Sequence, residues 1–200
     1  IENCVFESMA DDSVNIYYYP NTVTSVVSET VIRTTRQGVI ATGDLLQFFD
    51  SRVGRVLAEV EVAEVGAAPD SDYRITLSKP VPGIKAAPNG HSIYNLSRCG
   101  ADYVIRNNVF RNHRRHGMML KAPHGLVEKN TLEGLGGLGI VAGNDPEWPE
   151  GVIPFDLTIR GNTIKDVGRS CWYGQDARGA AIQIMTRASG GRVAAERCFH

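Results

Sequence analysis

Apolar and polar residues alternate in short groups along residues 102–142, where the same arrangement occurs twice. Residues 105–110 lead through a turn to residues 117–120, and residues 127–132 lead through a similar turn to residues 139–142, a step of 22 residues. Such groups of three or four alternating residues favour strands and are too short for a helix. Because a repeat of this length is typical of a solenoid, we interpret each copy as one coil of a parallel β-helix.

Two further copies extend the predicted stack. Residues 159–164 repeat the unit after an insertion of ten residues, and residues 1–6 match residues 105–110. One position is asparagine in three copies and cysteine in the fourth: Asn108, Asn130, Asn162 and Cys4. Asparagine tolerates a left-handed backbone at a bend, and asparagines one coil apart, roughly 4.8 Å, can hydrogen-bond to one another. We therefore predict an asparagine ladder, with Cys4 as a buried, unpaired thiol.

Residues 17–95 follow a different pattern. Alternating, β-branched groups predict strands at residues 31–35, 38–41, 45–50, 55–65 and 73–78, with turns at residues 43–44, 69–72 and 80–83. Strands at this spacing are typical of a small antiparallel barrel or sandwich. Because coil sequence resumes near residue 102, we expect a coil at residues 1–16, an inserted barrel at residues 17–95 and further coils at residues 96–200. Two long loops are expected in the last part, at residues 143–151 and at residues 169–178, which include Trp172, Tyr173 and Asp176.

Composition narrows the class of protein. The 200 residues are 42% hydrophobic and 22% charged, which is typical of a soluble globular protein. A net charge of −1 gives no indication of nucleic acid or of an anionic membrane, and no apolar run approaches the length of a membrane span. The four cysteines have neither CxxC nor zinc spacing, so no metal or cofactor is predicted. Since Ile1 falls within a coil, we expect the sequence to be part of a longer protein.

The most suggestive chemistry lies in the first predicted turn. Aligning Ile1 with Ile105 places Asp11 beside Arg115 and Asp12 beside His116 of the next coil. Two adjacent acids repel each other, and a nearby arginine can keep one ionised while the pKa of the other rises. Glycoside hydrolysis with inversion needs such a pair, with the carboxyl groups roughly 6.5 to 9.5 Å apart. The alternative is a solvated Asp-Asp turn that makes an inter-coil salt bridge.

Strand alternation adds outward-facing candidates around that turn. Met118 and Leu120 are predicted to point inward, so that Lys121 points outward, and the same count turns Asn15 outward. The run Arg114–His116 could neutralise an acidic sugar, or it could be a plain solvated turn.

The loop at residues 143–151 offers a second candidate surface. Trp148 could stack on the apolar face of a sugar, with Glu147 and Glu150 accepting hydrogen bonds from its hydroxyl groups. The alternative is that Trp148 holds its own loop against the solenoid.

Several of these motifs together resemble glycoside hydrolase family 110. They are Asn3-Cys4-Val5-Phe6-Glu7, Asp11-Asp12-Ser13-Val14-Asn15-Ile16, a barrel insert, Arg114-Arg115-His116-Gly117 with Lys121, and Trp148-Pro149-Glu150-Gly151. The resemblance covers nearly the whole chain. It implies a right-handed parallel β-helix interrupted by a barrel, and an exo-acting bacterial α-1,3-galactosidase located in the periplasm or outside the cell.

The resemblance also implies roles for individual residues. It implies a metal-free inverting mechanism in which Asp11 donates the proton and Asp12 helps to activate water, with a further acid contributed from before Ile1. Arg115, Lys121, Trp148 and Glu150 would shape a galactose pocket. The chain departs from the family where Asn15-Ile16 is followed by Tyr17-Tyr18-Tyr19-Pro20 instead of His-Gly, which removes one sugar contact.

Two other functions stay open on this architecture. One is a polysaccharide lyase that uses Arg115 or Lys121 as its base and acts on an acidic sugar. The other is a non-catalytic glycan-binding β-helix. In all three cases the partner is an oligosaccharide or polysaccharide, without nucleic acid or membrane insertion, and a homo-oligomer is left open.

Overall fold

The computed structural model describes residues 1–68, 72–88, 90–169 and 180–190, and the backbone of residues 192–193. All regular structure in these residues is β-strand, as the alternating pattern predicted. In chain order the strands are β1 (Val5–Glu7), β2 (Val14–Ile16), β3 (Asn21–Val26), β4 (Val31–Thr34), β5 (Leu45–Asp50), β6 (Arg55–Ala67), β7 (Tyr73–Leu77), β8 (Ser92–Asn95), β9 (Val104–Arg106), β10 (Val109–Arg111), β11 (Met118–Leu120), β12 (Leu126–Glu128), β13 (Thr131–Glu133), β14 (Ile140–Gly143), β15 (Thr158–Arg160), β16 (Thr163–Lys165), β17 (Ile182–Met185), β18 (Arg187–Ala188) and β19 (Arg192–Val193). Within this described part, no helix has the length and apolarity needed to cross a membrane.

The chain divides into two compact units. The stacked unit comprises Ile1–Tyr17, Gly100–Asn144 and Ile153–Met185. The barrel unit comprises Tyr18–Cys99, Asp145–Val152 and the described residues from Thr186 onward. The loop residues 145–152 therefore group with the barrel rather than with the repeats that flank them in sequence.

Three parallel sheets make up the stacked unit. The first sheet has the order β9-β12-β15, the second β1-β10-β13-β16 and the third β2-β11-β14-β17. From β9 onward the chain visits the first, second and third sheets in turn, so neighbouring strands belong to successive rounds of the chain. We number these rounds one (β1–β2), two (β9–β11), three (β12–β14) and four (β15–β17).

Cross-strand pairing follows the repeat predicted from the sequence. Between rounds two and three, Ile105 pairs with Val127, Phe110 with Leu132 and Met118 with Ile140. The two further copies also pair as predicted, Phe6 with Phe110 and Ile159 with Val127. The parallel alignment of the four copies is thereby confirmed.

An asparagine ladder runs through the stack, as the sequence predicted. The Nδ2 group of Asn108 donates to Oδ1 of Asn130 at 3.0 Å, and Nδ2 of Asn130 donates to Oδ1 of Asn162 at 2.9 Å. Cys4 occupies the corresponding place in round one, where its amide donates to Oδ1 of Asn108 at 2.9 Å. The prediction that Cys4 is buried is wrong: its thiol is free and exposed, because β1 is the terminal strand of its sheet.

The left-handed backbone lies one residue before the ladder rather than on it. Asn3, Asn107, Lys129 and Gly161 have φ between 54° and 62°, and each precedes a residue of the ladder. The ladder asparagines thus use their side chains for bonding between rounds, while the preceding residue makes the bend. Because the preceding residue makes only the bend and none of the ladder's side-chain bonds, that position can be a lysine or a glycine.

The barrel unit contains a closed barrel of six antiparallel strands in the order β3-β4-β7-β6-β5-β8. The prediction of a small antiparallel barrel is confirmed. Its interior is filled by alternate residues of these strands, including the fully buried Val23, Ile32, Phe48, Ile75 and Ile93. The predicted strands at residues 31–35, 45–50, 55–65 and 73–78 are found with small shifts at their ends, whereas β3 and β8 were not predicted.

The predicted strand at residues 38–41 is wrong. Side chains, and not a neighbouring strand, bond to the backbone of this segment. Nδ2 of Asn21 donates to the carbonyl of Gly38 at 3.0 Å, Nδ2 of Asn95 donates to the carbonyl of Val39 at 2.9 Å, and Oδ2 of Asp44 accepts from the amide of Ala41 at 2.8 Å. These bonds satisfy polar groups that a strand would have paired in a ladder.

Some predicted features lie outside the described residues. They are residues 69–71 of one turn, Cys171, Trp172, Tyr173 and Asp176 of the second long loop, and Cys198.

Candidate functional site

Asp11 and Asp12 lie in the turn between β1 and β2, and the turn between β10 and β11 stacks on it. The amide of Ser13 donates to the carbonyl of His116 at 3.2 Å, which sets the alignment of the two turns. Asp11 consequently lies beside Arg115 and Asp12 beside His116, as the aligned repeats predicted.

One guanidinium faces both carboxylates. Nη1 of Arg115 is 3.1 Å from Oδ1 of Asp11, and its Nε is 3.9 Å from Oδ1 of Asp12. Oδ1 of Asp11 accepts from the amide of Asp12 at 2.9 Å, and Oδ1 of Asp12 accepts from the amide of His116 at 3.1 Å. The side chain of Asp11 is 71% exposed and that of Asp12 only 15% exposed. Two adjacent carboxylates therefore have different environments, which is the arrangement that acid and base roles require.

Rounds one and two are joined by ion pairs at other places as well. Arg106 is 3.0 Å from Glu2, and Arg111 is 3.0 Å from Glu7. In each pair the acid belongs to round one and the arginine to round two. An ion pair between rounds is thus a repeated structural feature, and the second carboxylate distinguishes the Asp11–Asp12 turn from the others.

His116 is a buried histidine held in one tautomer. Its Nδ1 accepts from the amide of Leu138 at 2.9 Å, so the neutral ring carries its proton on Nε2. Burial lowers the pKa of His116 below its ordinary value, Asp12 opposes this shift, and Arg115 adds to it. The ring is therefore neutral at pH 7, beside a carboxylate and a guanidinium.

Lys121 and Asn15 lie on the third sheet next to this turn. Asn15 pairs with Met119 across β2 and β11 and is exposed, as predicted. The amide of Lys121 donates to the carbonyl of Ile16 at 2.8 Å, but its side chain is buried, at 3% exposure. The prediction from strand alternation that the Lys121 side chain faces solvent is therefore wrong. Its charge contributes to lowering the pKa of His116, so it belongs to the same electrostatic cluster.

A second histidine in the same turn was missed by the sequence reasoning. His113 is buried, and its two ring nitrogens contact the carbonyl of Phe6, at 2.9 Å from Nε2, and Oγ of Ser13. Since Nε2 must donate to the carbonyl, Nδ1 accepts from the Ser13 hydroxyl. His113 thereby ties the residue after Asp12 to strand β1. The signal was available, because the alignment of Ile1 with Ile105 also brings His113 to the Asp11–Asp12 turn.

Two glycines of round three allow the arginine turn to be supported closely from its other side. A Cβ atom on Gly136 would lie 2.2 Å from the carbonyl oxygen of Arg114, and one on Gly137 would lie 2.6 Å from the carbonyl carbon of Arg115. The amide of Gly137 donates to the carbonyl of Arg115 at 3.1 Å. Only glycine permits this approach, so Gly136 and Gly137 help to position Arg115 and His116.

The loop that carries Trp148 belongs to the barrel unit. Asp145 and Glu150 form an antiparallel bridge, and Oδ1 of Asp145 accepts from the amides of Glu147 and Trp148, both at 3.2 Å. The Trp148 side chain is 70% exposed, so it does not hold the loop in place by burial. Glu147 accepts a hydrogen bond from the amide of Gly190, and Glu150 is buried. The loop thus presents an indole ring while its two glutamates are engaged or covered.

The predicted site residues are divided between the two units. The stacked unit contains Asp11, Asp12, Asn15, Arg115, His116 and Lys121, and the barrel unit contains Glu147, Trp148 and Glu150.

Two proteins are similar in sequence to this chain. No protein-family model matches the chain. It is 28% identical over 174 residues to a Bacteroides thetaiotaomicron protein named alpha-1,3-galactosidase B. It is 27% identical over 177 residues to an Akkermansia muciniphila protein of the same name. These similarities cover 82% of this chain but only 28% and 21% of the relatives, so the chain spans about a quarter of their length. The chain is thus distantly similar to proteins named as galactosidases.

Proposed function

We propose that this protein is a glycoside hydrolase that removes terminal α-linked galactose, of the α-1,3-galactosidase type. The observation that carries the proposal is the pair of adjacent carboxylates, Asp11 and Asp12, in front of one guanidinium, that of Arg115. The substrate class comes from the names of the two relatives. We further propose that the three parallel sheets wind as a right-handed β-helix, the hand that parallel crossovers strongly favour.

In the proposed mechanism the reaction is a single displacement with inversion. Asp11, to which the family resemblance gives this role, donates its proton to the glycosidic oxygen as the bond to the galactose C1 breaks. A water molecule attacks C1 from the opposite face and loses its proton to the further carboxylate that the resemblance implies, while Asp12 helps to orient the water. The amide of His116 holds Oδ1 of Asp12 in place for this role. Arg115 stabilises the carboxylate that Asp11 leaves after proton transfer.

The remaining predicted residues are assigned to substrate binding. His116 and Lys121 contribute polar groups near the carboxylates, and Asn15 adds an exposed amide on the neighbouring strand. Trp148 stacks on the apolar face of a sugar, in keeping with its exposed ring, and Glu147 and Glu150 shape its surroundings. We also propose a periplasmic or extracellular location, which cell fractionation with a specific antibody tests.

Hydrolysis of an α-1,3-linked galactobiose and of p-nitrophenyl α-galactoside tests the proposal. Wild type is compared with Asp11→Asn and Asp12→Asn, and the Bacteroides thetaiotaomicron relative serves as the positive control. Proton NMR during the first turnovers identifies the anomer that is released. We expect β-galactose from the wild type, and a loss of rate of about a hundredfold or more in each variant.

A matched control separates chemistry from surface charge. Asp166 forms an ion pair with Arg169 at 3.2 Å in the corresponding turn of round four, so Asp166→Asn makes the same substitution in a similar pair. It should keep full activity. Retention of activity in Asp11→Asn would contradict the proposed proton donor. Release of an unsaturated product that absorbs in the near ultraviolet would indicate a lyase instead.

A further inference from the structure

Two arginines lie directly opposite each other on the outside of the barrel. Arg33 on β4 pairs with Arg74 on β7. Their neighbours Ile32 and Ile75 are fully buried in the barrel core, so alternation turns both arginines to the outer surface. The two arginines therefore occupy neighbouring positions on the same face of the sheet.

The pairing geometry brings these side chains especially close. The amide of Leu77 donates to the carbonyl of Thr30, which makes that pair a hydrogen-bonded one. Hydrogen-bonded and non-hydrogen-bonded pairs alternate along antiparallel strands. Arg33 and Arg74 lie three pairs further along and therefore form a non-hydrogen-bonded pair. In such pairs the Cα atoms are only about 4.5 Å apart and the side chains are nearest to each other. Like charges in this position repel and are unfavourable unless something neutralises them.

No acid of the described residues neutralises either arginine through an ion pair. Asp72, two residues from Arg74, accepts a hydrogen bond from the Thr24 hydroxyl at 2.7 Å. Glu64 pairs with Thr76, which places it diagonally from Arg74, and forms no ion pair with it. Nε of Arg33 is buried and has no hydrogen-bond partner. A buried donor without a partner on a charged group is costly, so an acceptor within reach of this side chain would stabilise it.

The residues flanking the arginines leave space for such an acceptor. Ser25 on β3 pairs with Arg33, and Gly66 on β6 pairs with Arg74. The row across four strands is thus a hydroxyl, two guanidinium groups and a position without a side chain. Hydroxyl and guanidinium donors in one row suit an oxyanion, because guanidinium groups bind carboxylate and sulfate oxygens with two parallel bonds.

We propose that Ser25, Arg33 and Arg74 form a binding site for an oxyanion on a saccharide, either a sulfate ester or a carboxylate. The saccharide part rests on the proposed glycosidase function, whereas the oxyanion part rests on the barrel alone. The site would hold an acidic glycan through residues other than those assigned to hydrolysis.

Isothermal titration calorimetry of the whole chain tests this proposal with three probes: galactose 6-sulfate, galacturonate and neutral galactose. Arg74→Gln is the principal variant, and it is expected to fold because it removes one of two repelling charges. Lys79→Gln is the matched control, since it makes the same change of charge at an exposed position in the turn after β7. Circular dichroism confirms that each variant is folded.

We expect at least one acidic probe to bind more tightly than galactose, and Arg74→Gln to weaken its binding about tenfold. Lys79→Gln should leave binding of the acidic probe unchanged, and Asp11→Asn should keep the acidic probe binding more tightly than galactose. Binding of galactose 6-sulfate but not of galacturonate identifies a sulfate ester as the ligand, and the reverse identifies a carboxylate.

The proposal is overturned if neither acidic probe binds more tightly than galactose, or if Arg74→Gln binds the acidic probe as tightly as wild type does. It is also overturned if Asp11→Asn abolishes binding, because the ligand would then occupy the proposed hydrolytic site. Hydrolysis is measured separately, so its failure does not affect this result.

Discussion

Replacing Asn130 by alanine tests whether the asparagine ladder holds the stacked unit together. The Asn130 side chain is fully buried. It takes part in four hydrogen bonds of 2.9 to 3.0 Å: two to Asn108, one to Asn162 and one to the carbonyl of Ile105. At about 1 kcal/mol each, their loss should lower the free energy of unfolding by about 4 kcal/mol. The cost is high because the amide and one Nδ2 hydrogen of Asn108 are left buried without partners.

Asn162 supplies the matched control for this measurement. Its side chain also makes ladder bonds, but it is partly exposed, so water can replace part of what alanine removes. We expect Asn162→Ala to cost about half as much, about 2 kcal/mol. Urea unfolding followed by circular dichroism gives both values. Hydrogen exchange of the Asn108 amide, whose acceptor is Oδ1 of Asn130, should speed up in Asn130→Ala only. Equal costs for the two variants, or less than about 1.5 kcal/mol for Asn130→Ala, would refute the reasoning.

Three further predictions concern Gly137, two buried histidines and Trp148. Gly137→Ala should lower both the free energy of unfolding and the rate of hydrolysis, since its Cβ would lie 2.6 Å from the carbonyl carbon of Arg115. Urea unfolding and the galactobiose assay measure the two effects, and normal activity would contradict the supporting role of this glycine. Burial lowers the pKa of His116 and of His91 below 6.5, so the unfolded chain binds protons that the folded chain does not, and stability should fall as pH decreases below 6.5. Urea midpoints between pH 7.5 and pH 5.5 check this, and His116→Gln should reduce the slope. Trp148→Ala should change the free energy of unfolding by less than about 0.5 kcal/mol, because the ring is exposed, while raising KM for galactobiose; an unchanged KM would contradict its proposed role in binding a sugar.

The stacked unit could be predicted because its information is local and repeated. A 22-residue step sets the same alignment for every strand of a round, so aligning Ile105 with Val127 also predicted the pairing of Phe110 with Leu132 and of Met118 with Ile140. The barrel was predicted less well. Residues 38–41 alternate like a strand, but the side chains of Asn21, Asn95 and Asp44 bond to their backbone, and two of these partners, Asn21 and Asn95, lie 17 and 56 residues away in sequence.

Burial explains the errors at single residues. Strand alternation predicts the side of the strand on which Lys121 lies, but it does not predict which residues cover the side chain. The Lys121 side chain is in fact only 3% exposed. Cys4 occupies a ladder position that is buried at Asn108 and Asn130, yet it is exposed because β1, the strand that follows it, pairs with a strand on one side only among the described residues. Exposure depends on neighbours that the residue's own segment does not contain.

The sequence by itself determined the β class of the protein, the repeat, the alignment of its copies and the meeting of Asp11 with Arg115, since all of these follow from residue spacing. Only the tertiary structure decided that Asp12 is mostly covered while Asp11 is exposed, that His113 ties the acidic turn to β1, and that Arg33 faces Arg74. These features depend on contacts between segments many residues apart, and the free energy of burying or pairing a charge is set by those contacts.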